Sequence, residues 1–292
     1  MERKAIKSVL TRIPIGGAVT LRAYRSWRRY RFARSYYARE LRLIRRWAVS
    51  LTEDTNFYYE LTPRNEAALT TLVAAVTGTE VGRIEGYVEE VKADAALYSH
   101  IASAFKHNTQ MRDVVIGYGR RIGWYAFVRA LKPRLVVETG VAHGVGASVL
   151  CAALLRNLEE GYEGSYLGTE INPDAGELLT GIYASVGRVA YGDSLDSLRM
   201  LTTPIDVFIN DSDHSELYES MEYEAVAHLL SASSIILGDN SHVTNALRDF
   251  SVERGRPYFF FSEVPRDHWY PGAGIGISPT QIPLIPRPRH GV

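Results

Sequence analysis

A chain of 292 residues is long enough for one large α/β domain with an appendage, or for two small domains. Hydrophobic residues make up 46% and charged residues 23%, an ordinary balance for a globular protein. The single cysteine, Cys151, excludes an intrachain disulfide and a cysteine-based zinc site, and its apolar helical surroundings mark it as core packing. The formal net charge of zero hides an asymmetry. Residues 1–47 carry 14 Lys/Arg against Glu2 and Glu40, leaving the rest of the chain at −12. Such an arm calls for an anionic partner: a membrane surface, a nucleic acid or the acidic body of its own fold.

In chain order, the N-terminus lacks a clean apolar signal core, because Arg12, Pro14 and Gly16-Gly17 interrupt it. From Leu21 to Leu51, Tyr24, Trp27, Leu41, Ile44, Ala48 and Leu51 recur at roughly helical spacing among arginines. A basic amphipathic helix of this kind suits a membrane interface, where arginines reach phosphate and Trp and Tyr sit at headgroup depth. Packing on the domain or on a second copy of the chain is the alternative, and no nucleic-acid reading module is recognisable. No apolar run approaches the ~18 residues that span a bilayer. Residues 52–110 read as a helical cap, with one helix starting near Asn65 after Pro63 and another over Val81–Ser103. The expected division is therefore 1–51 arm, 52–110 cap and 111–292 catalytic domain.

From about Ile122 short apolar runs alternate with helical ones. The expected strands are Leu135–Thr139, Ser165–Glu170, Arg188–Tyr191, Ile205–Asn210, Ser234–Gly238, Tyr258–Ser262 and Ile275–Ser278. Helices are expected over Val145–Leu158, Ala175–Ala184, Leu195–Leu201, Glu219–Leu230 and Val243–Arg254. Continuous apolar strands alternating with helices imply a doubly wound, Rossmann-like, mostly parallel seven-stranded sheet. The tail after Pro279, with Pro283, Pro286 and Pro288, reads as an extended end.

Chemistry concentrates at the predicted strand ends, where open α/β sheets place their ligands. The first strand runs into Glu138-Thr139-Gly140-Val141-Ala142-His143-Gly144, a turn that lets backbone approach a ligand before a helix N-terminus. A dinucleotide fingerprint would require glycine where Ala142 stands, and Glu138 suits a cationic ligand better. Glu170 closes the second strand, placed to accept hydrogen bonds from ribose hydroxyls, and Asp193 follows the third, within reach of an adenine edge. Each acid could instead cap a helix, but three successive strand ends together favour a nucleoside pocket. The fourth and fifth strands end in Asn210-Asp211-Ser212-Asp213-His214 and Gly238-Asp239-Asn240-Ser241-His242. Asp211, Asp239 and Asn240 form an all-oxygen set suited to Mg²⁺, although Asp239-Asn240 also fits a turn.

The turn ETGVAHGVG, Glu170, the run IDVFINDSDH and the pair Asp239-Asn240 together resemble the class I, metal-dependent O-methyltransferases. That group includes the catechol and caffeoyl-CoA enzymes and the sugar or macrolide O-methyltransferases. The resemblance covers about residues 115–278, and the Asp-x-Asp-His form is closer to the sugar-modifying branch. It implies S-adenosylmethionine held by Glu138, Gly140, Ala142, His143, Gly144, Glu170, Asp193 and Asp211. It further implies Mg²⁺ on Asp211, Asp239 and Asn240, and His214 as the catalytic base. Asn210 departs from the family pattern, which has an apolar residue there. The expected acceptor is a hydroxyl on a sugar, glycan or other small molecule, met by segments such as Tyr118, Arg120, Arg121, Trp124, Tyr125 and His268–Tyr270. The expected location is cytoplasmic, at or near the inner face of a membrane. A competing reading is an iron-dependent hydroxylase similar to the cephalosporin-hydroxylase group, with Asp211, His214 and His242 as a two-His, one-carboxylate set. A third is a catalytically silent binding protein on the same fold.

Overall fold

The computed structural model describes residues 16–50, 58–107 and 115–282. Arg12 and Pro14 of the N-terminal reading and the Pro283–Pro288 tail lie outside them. The chain divides into two compact units, residues 1–51 with 267–269, and residues 52–266 with 270–292.

In the first unit the expected single helix is two, α1 (Gly16–Tyr36) and α2 (Ala38–Ser50), interrupted at Tyr37. Arg39 pairs with Asp267 at 3.1 Å, and the Trp47 ring lies 5.1 Å from that of Trp269. No helix among the described residues is long and apolar enough to cross a membrane.

The second unit opens with α3 (Pro63–Thr77), α4 (Val81–Ala93) and α5 (Ala95–His107). Pro63 starts α3 where its missing N–H costs nothing, and the Thr62 hydroxyl accepts from the Asn65 amide as the cap. The helix expected over Val81–Ser103 breaks at Asp94, whose carboxylate accepts the Leu97 amide and so starts a new helix. Then comes α6 (Arg121–Leu131), in which every residue from Ile122 to Arg129 is buried. A helix apolar on all sides is one enclosed on all sides. It packs on α3, α4 and α7 (Val145–Glu159).

The strands are β1 (Leu135–Thr139), β2 (Ser165–Glu170), β3 (Gly187–Tyr191), β4 (Ile205–Asn210), β5 (Leu230–Gly238), β6 (Phe259–Ser262) and β7 (Gly274–Pro279). They form one seven-stranded sheet in the order β3-β2-β1-β4-β5-β7-β6, with β7 antiparallel to both neighbours and the other pairs parallel. All seven expected strands are present, and the doubly wound α/β fold is as the sequence pattern implies. The remaining helices are α8 (Ser194–Arg199), α9 (Glu216–Val226) and α10 (Ala246–Glu253). Alternate β1 residues face opposite layers: Val136 joins the core under α6 and α7, and Val137 the core under α9 and α10.

One expected helix is missing. Residues 175–182 form turns ending in a single 3₁₀ turn at Tyr183–Ser185. Gly176 and Gly181 adopt positive φ there, and the Gly176 and Leu178 amides donate to the carbonyls of Ala142 and His143. Backbone groups that a helix would have used internally instead hold the turn after β1.

Arg129, 2% exposed, ties three helical segments together. It donates to Glu90 of α4 at 2.7 Å, to Asn157 of α7 and to Glu160 just beyond it. We expect Arg129→Met to lower unfolding free energy by roughly 2 to 3 kcal/mol, since charged hydrogen bonds are lost around a buried amide. Urea denaturation measures this; an unchanged midpoint at unchanged slope would show that the network contributes nothing.

Candidate active site

The order of strands reverses between β1 and β4, and the site opens at their carboxyl ends, as expected for a doubly wound sheet. Gly140 sits at φ +83°, and a Cβ there would lie 2.0 Å from the Asp211 carbonyl oxygen. Only glycine lets the turns after β1 and β4 touch this closely. The Asp211 amide donates to Thr139 O and the Gly140 amide to Thr169 O, both at 2.9 Å, locking three strand ends in register. Ala142 takes a left-handed conformation at φ 47°, a position where glycine would be unstrained. Its amide and that of Val141 are held by Glu170 Oε2 at 2.8 and 3.1 Å, while Oε1 accepts the Asn172 amide at 2.9 Å.

Around this turn lies a cavity of about 700 Å³. Gly140, Ala142, His143, Glu170, Asp193 and Asp211, predicted as cofactor residues, all line it. Asp193 also caps α8 by accepting the Leu195 amide at 2.8 Å, so the capping and pocket readings are both met. The Thr169 hydroxyl, in a residue 1% exposed and lining the cavity, has no hydrogen-bond partner among the described residues. An unpaired buried hydroxyl facing a cavity is a hydrogen-bonding place for a ligand.

Glu138 and Gly144 are not among the lining residues. Gly144, at φ +93°, is the N-cap of α7. Glu138 is 2% exposed under the start of α7, where a Cβ on Gly146 would come within 2.7 Å of its carboxylate, and it accepts the Tyr166 hydroxyl. Burial pushes its carboxyl up from 4.5 to about 7, against the Tyr166 hydrogen bond and the nearby Arg121 charge. As placed, it sits between Tyr166 and the start of α7, beneath the turn.

Beside the cavity stands a charged cluster. Asp211, His214 and Asp239 each offer a ligand atom within 4.8 Å of the others, a spacing that a divalent cation fits. Asp239 is 1% exposed and is gripped on both oxygens by Arg120, with Nη2 at 2.6 Å. Glu263, equally buried, accepts the Arg120 amide at 2.8 Å and the Tyr59 hydroxyl at 2.9 Å. Burial alone would raise the Asp239 carboxyl, but the Arg120 charge outweighs it and holds Asp239 low. Burial and the Asp239 charge instead push Asp211 well above the usual carboxylate range. The pair therefore has room for added positive charge.

His214 Nε2 lies 3.7 Å from Asp211 and 2.9 Å from the Asn240 amide nitrogen, and its Nδ1 lies 3.4 Å from Glu219. An amide donating to Nε2 and a carboxylate at Nδ1 select the tautomer with the proton on Nδ1 and the lone pair on Nε2. Asn240 is left-handed at φ 49°, so the turn that its residue type predicts is real. His242 is exposed and lies outside the Asp211–His214–Asp239 group, so the two-histidine iron set is not assembled.

Four functional positions escaped sequence reasoning: Arg120 as a charge partner, Glu219, Glu222 and Glu263. Glu222, fully buried on α9, accepts the Thr139 hydroxyl at 3.1 Å, the Ser212 hydroxyl at 2.8 Å, the Asn210 amide and the Ser194 hydroxyl. That explains why Asn210 stands where an apolar residue is usual: its side chain serves a buried carboxylate. A polar residue inside an apolar strand was the available signal. Of the aromatic and basic residues expected to meet the acceptor, Tyr118, Trp124 and Tyr125 are core, and Tyr125 donates to Glu90. His268 and Trp269 fall in the other compact unit.

The sheet order, the glycine turn and the acids closing β2 and β3 bring together at one cavity the strand ends that the sequence pattern marks for a nucleoside. Residues 137–241 match a family model described as a methyltransferase domain. That span contains every predicted site residue, from Glu138 to Asn240. No curated protein matches the chain. Among solved structures, the O-methyltransferase TomG from Streptomyces achromogenes, involved in tomaymycin synthesis and in complex with SAM, is similar at 17% identity. The match covers 64% of this chain and 89% of that one, with a TM-score of 0.49. An O-methyltransferase from Bacillus cereus in complex with SAH shares 18% identity over 67% and 91% of the two chains, at a TM-score of 0.44. The SAH-bound methyltransferase PaMTH1 of Podospora anserina shares 16% over 68% and 93%, at 0.48. Likeness at this level leaves the reaction to be argued from the site.

Because folded Glu138 holds its proton more tightly than the unfolded chain does, its contribution favours the fold below pH 4.5 and is lost as pH rises to about 7. Glu138→Gln should remove this loss, becoming relatively more stable between pH about 5 and about 8 by on the order of 3 kcal/mol. Urea midpoints across that range test it; parallel curves for the two proteins would contradict the assignment. Gly140→Ala should separate the turns after β1 and β4 and cost roughly 1 to 3 kcal/mol, readable in the same assay.

Proposed function

We propose that the chain is an S-adenosylmethionine-dependent O-methyltransferase acting on a hydroxyl of a sugar, glycan or other small molecule. One observation carries the reading: Asp211 both lines the nucleoside-sized cavity and stands 3.7 Å from the lone-pair nitrogen of His214. Cofactor cavity and proton acceptor therefore share Asp211 as a neighbour. Glu170 and Asp193, on the ends of β2 and β3, face the cavity where a ribose and a base would lie.

S-adenosylmethionine, held by Gly140, Ala142, His143, Glu170 and Asp193, would when bound supply the methyl group to the acceptor oxygen, the carbon–sulfur electron pair returning to sulfur. The hydroxyl proton passes to His214 Nε2 as the acceptor hydroxyl displaces the Asn240 amide that donates to that nitrogen at 2.9 Å. Glu219, 3.4 Å from the other ring nitrogen, stabilises the charge the imidazole gains; proton acceptance by a positioned base such as His214 is worth roughly 10²–10⁴ in rate. Glu222 fixes the carboxyl ends of β1 and β4, so that Asp211 keeps its place on the cavity wall and His214 its place beside Asp211. Asp211, Asp239 and Asn240 would hold Mg²⁺, which when bound supplies Lewis-acid help in ionising the hydroxyl. Arg120 keeps Asp239 ionised for that purpose.

The test is titration with S-adenosylmethionine and S-adenosylhomocysteine, with and without Mg²⁺. Saturable binding of both, not displaced by NAD or ATP, supports the reading; no binding of either under any metal condition removes it and brings forward the silent binding protein. For the base, ¹⁵N-histidine NMR should find His214 protonated on Nδ1 when neutral, and Glu219→Gln should shift that resonance while leaving cofactor affinity within about twofold. Protonation on Nε2 in the wild type would rule out His214 as the acceptor.

A further inference from the structure

Helices α1 and α2 together hold ten arginines, no lysine and one acid, Glu40. Every side chain from Arg22 to Arg39 is exposed, including Trp27 at 51%, Phe32 at 66% and Tyr36 at 71%. Around α1, rings and guanidinium groups alternate on all sides: Arg31 lies 4.9 Å over the Trp27 ring and Arg34 6.0 Å over Tyr30. A helix without an apolar stripe has no face to give to a protein core. On α2 the two kinds of residue separate. Arg39, Arg42 and Arg46 fall on one side by helical spacing, and Leu41, Ile44 and Ala48 on the other. Trp47 is already engaged by Trp269, and the exposed Arg39–Asp267 pair neutralises little.

We propose that this arm is a docking surface for an anionic phospholipid bilayer, on which it lies without crossing. Charge complementarity carries the choice of an anionic partner. The planar guanidinium fork bonds phosphate oxygens in pairs, which a lysine ammonium does not, and every cation on these two helices is arginine. The exposed rings and the Leu41–Ile44–Ala48 side carry the choice of lipid. A bilayer interface presents phosphates and an apolar layer a few ångströms apart, with Trp and Tyr favoured between them. A nucleic acid would satisfy the arginines and leave Phe32 and Ile44 in water. No described helix is apolar enough to span, so the arm rests in the interface plane.

The experiment is flotation of the full-length protein with vesicles of phosphatidylcholine containing one-third phosphatidylglycerol, against pure phosphatidylcholine. The protein should float with the anionic vesicles only, and high salt should release it. Arg42→Gln/Arg45→Gln should weaken partitioning roughly thirtyfold, at about 1 kcal/mol per cation lost near the surface. Phe32→Ser/Ile44→Ser should weaken it with no change in charge, and both variants should bind S-adenosylhomocysteine as the wild type does. These positions are exposed, so the fold is not at risk. Failure to float, equal binding to both vesicle types, indifference to Phe32→Ser/Ile44→Ser, or release from vesicles by a short RNA duplex would each overturn the proposal. So would binding explained by self-association of the arm in the absence of lipid. None of these outcomes bears on the methyltransferase reading, which cofactor binding tests separately.

Discussion

The Glu170 carboxylate accepts three backbone N–H groups, from Val141, Ala142 and Asn172, and the cavity takes its shape from that contact. A turn that holds Ala142 at positive φ is strained, and needs something to hold it. Glu170 supplies it from the neighbouring strand, and the Gly176 and Leu178 amides supply more from the segment that follows β2. The glycine turn is thus a structure shared by two strand ends and a loop. A carboxylate used this way keeps lone pairs free on the cavity side, so holding the turn and meeting a ribose are compatible roles.

A second constraint is the crowding of acids at one end of the sheet. Glu138, Asp211, Glu222, Asp239 and Glu263 gather there, and four of them are 2% exposed or less. Each is met differently. Tyr166 serves Glu138, four neutral donors serve Glu222, and Arg120 is shared between Asp239 and Glu263. Asp211 is buried against Asp239, and burial and that neighbouring charge raise its carboxyl. The most perturbed carboxyl of the group therefore lies where the cavity, His214 and the cation-binding spacing meet.

The sheet was legible because its strands are buried on both faces and read as unbroken apolar runs; β1 is buried at all five positions. Strand ends were legible because acids and glycines cluster there. The missing helix over 175–184 was not, since its apolar spacing serves a loop whose amides bind another turn. Asp94 divides α4 from α5 by a cap within a helical pattern that shows no gap. Arg120 could not be matched to Asp239, 119 residues away, or to Glu263, 143 residues away, because only the fold brings them together. Glu138 was read as a cofactor residue from its place at the end of β1; it lies buried under the start of α7 and is not among the residues lining the cavity.

The central claim is that the turn held by Glu170 is the wall of an S-adenosylmethionine pocket. Its most direct test is calorimetric titration of Glu170→Ala with S-adenosylhomocysteine, beside the wild type. Losing three charge-assisted backbone contacts together with the ribose acceptor predicts affinity at least about a hundredfold weaker, in a protein that still unfolds cooperatively. Affinity equal to the wild type in a folded Glu170→Ala protein would contradict the account, by showing that the nucleoside neither meets Glu170 nor needs the turn it holds.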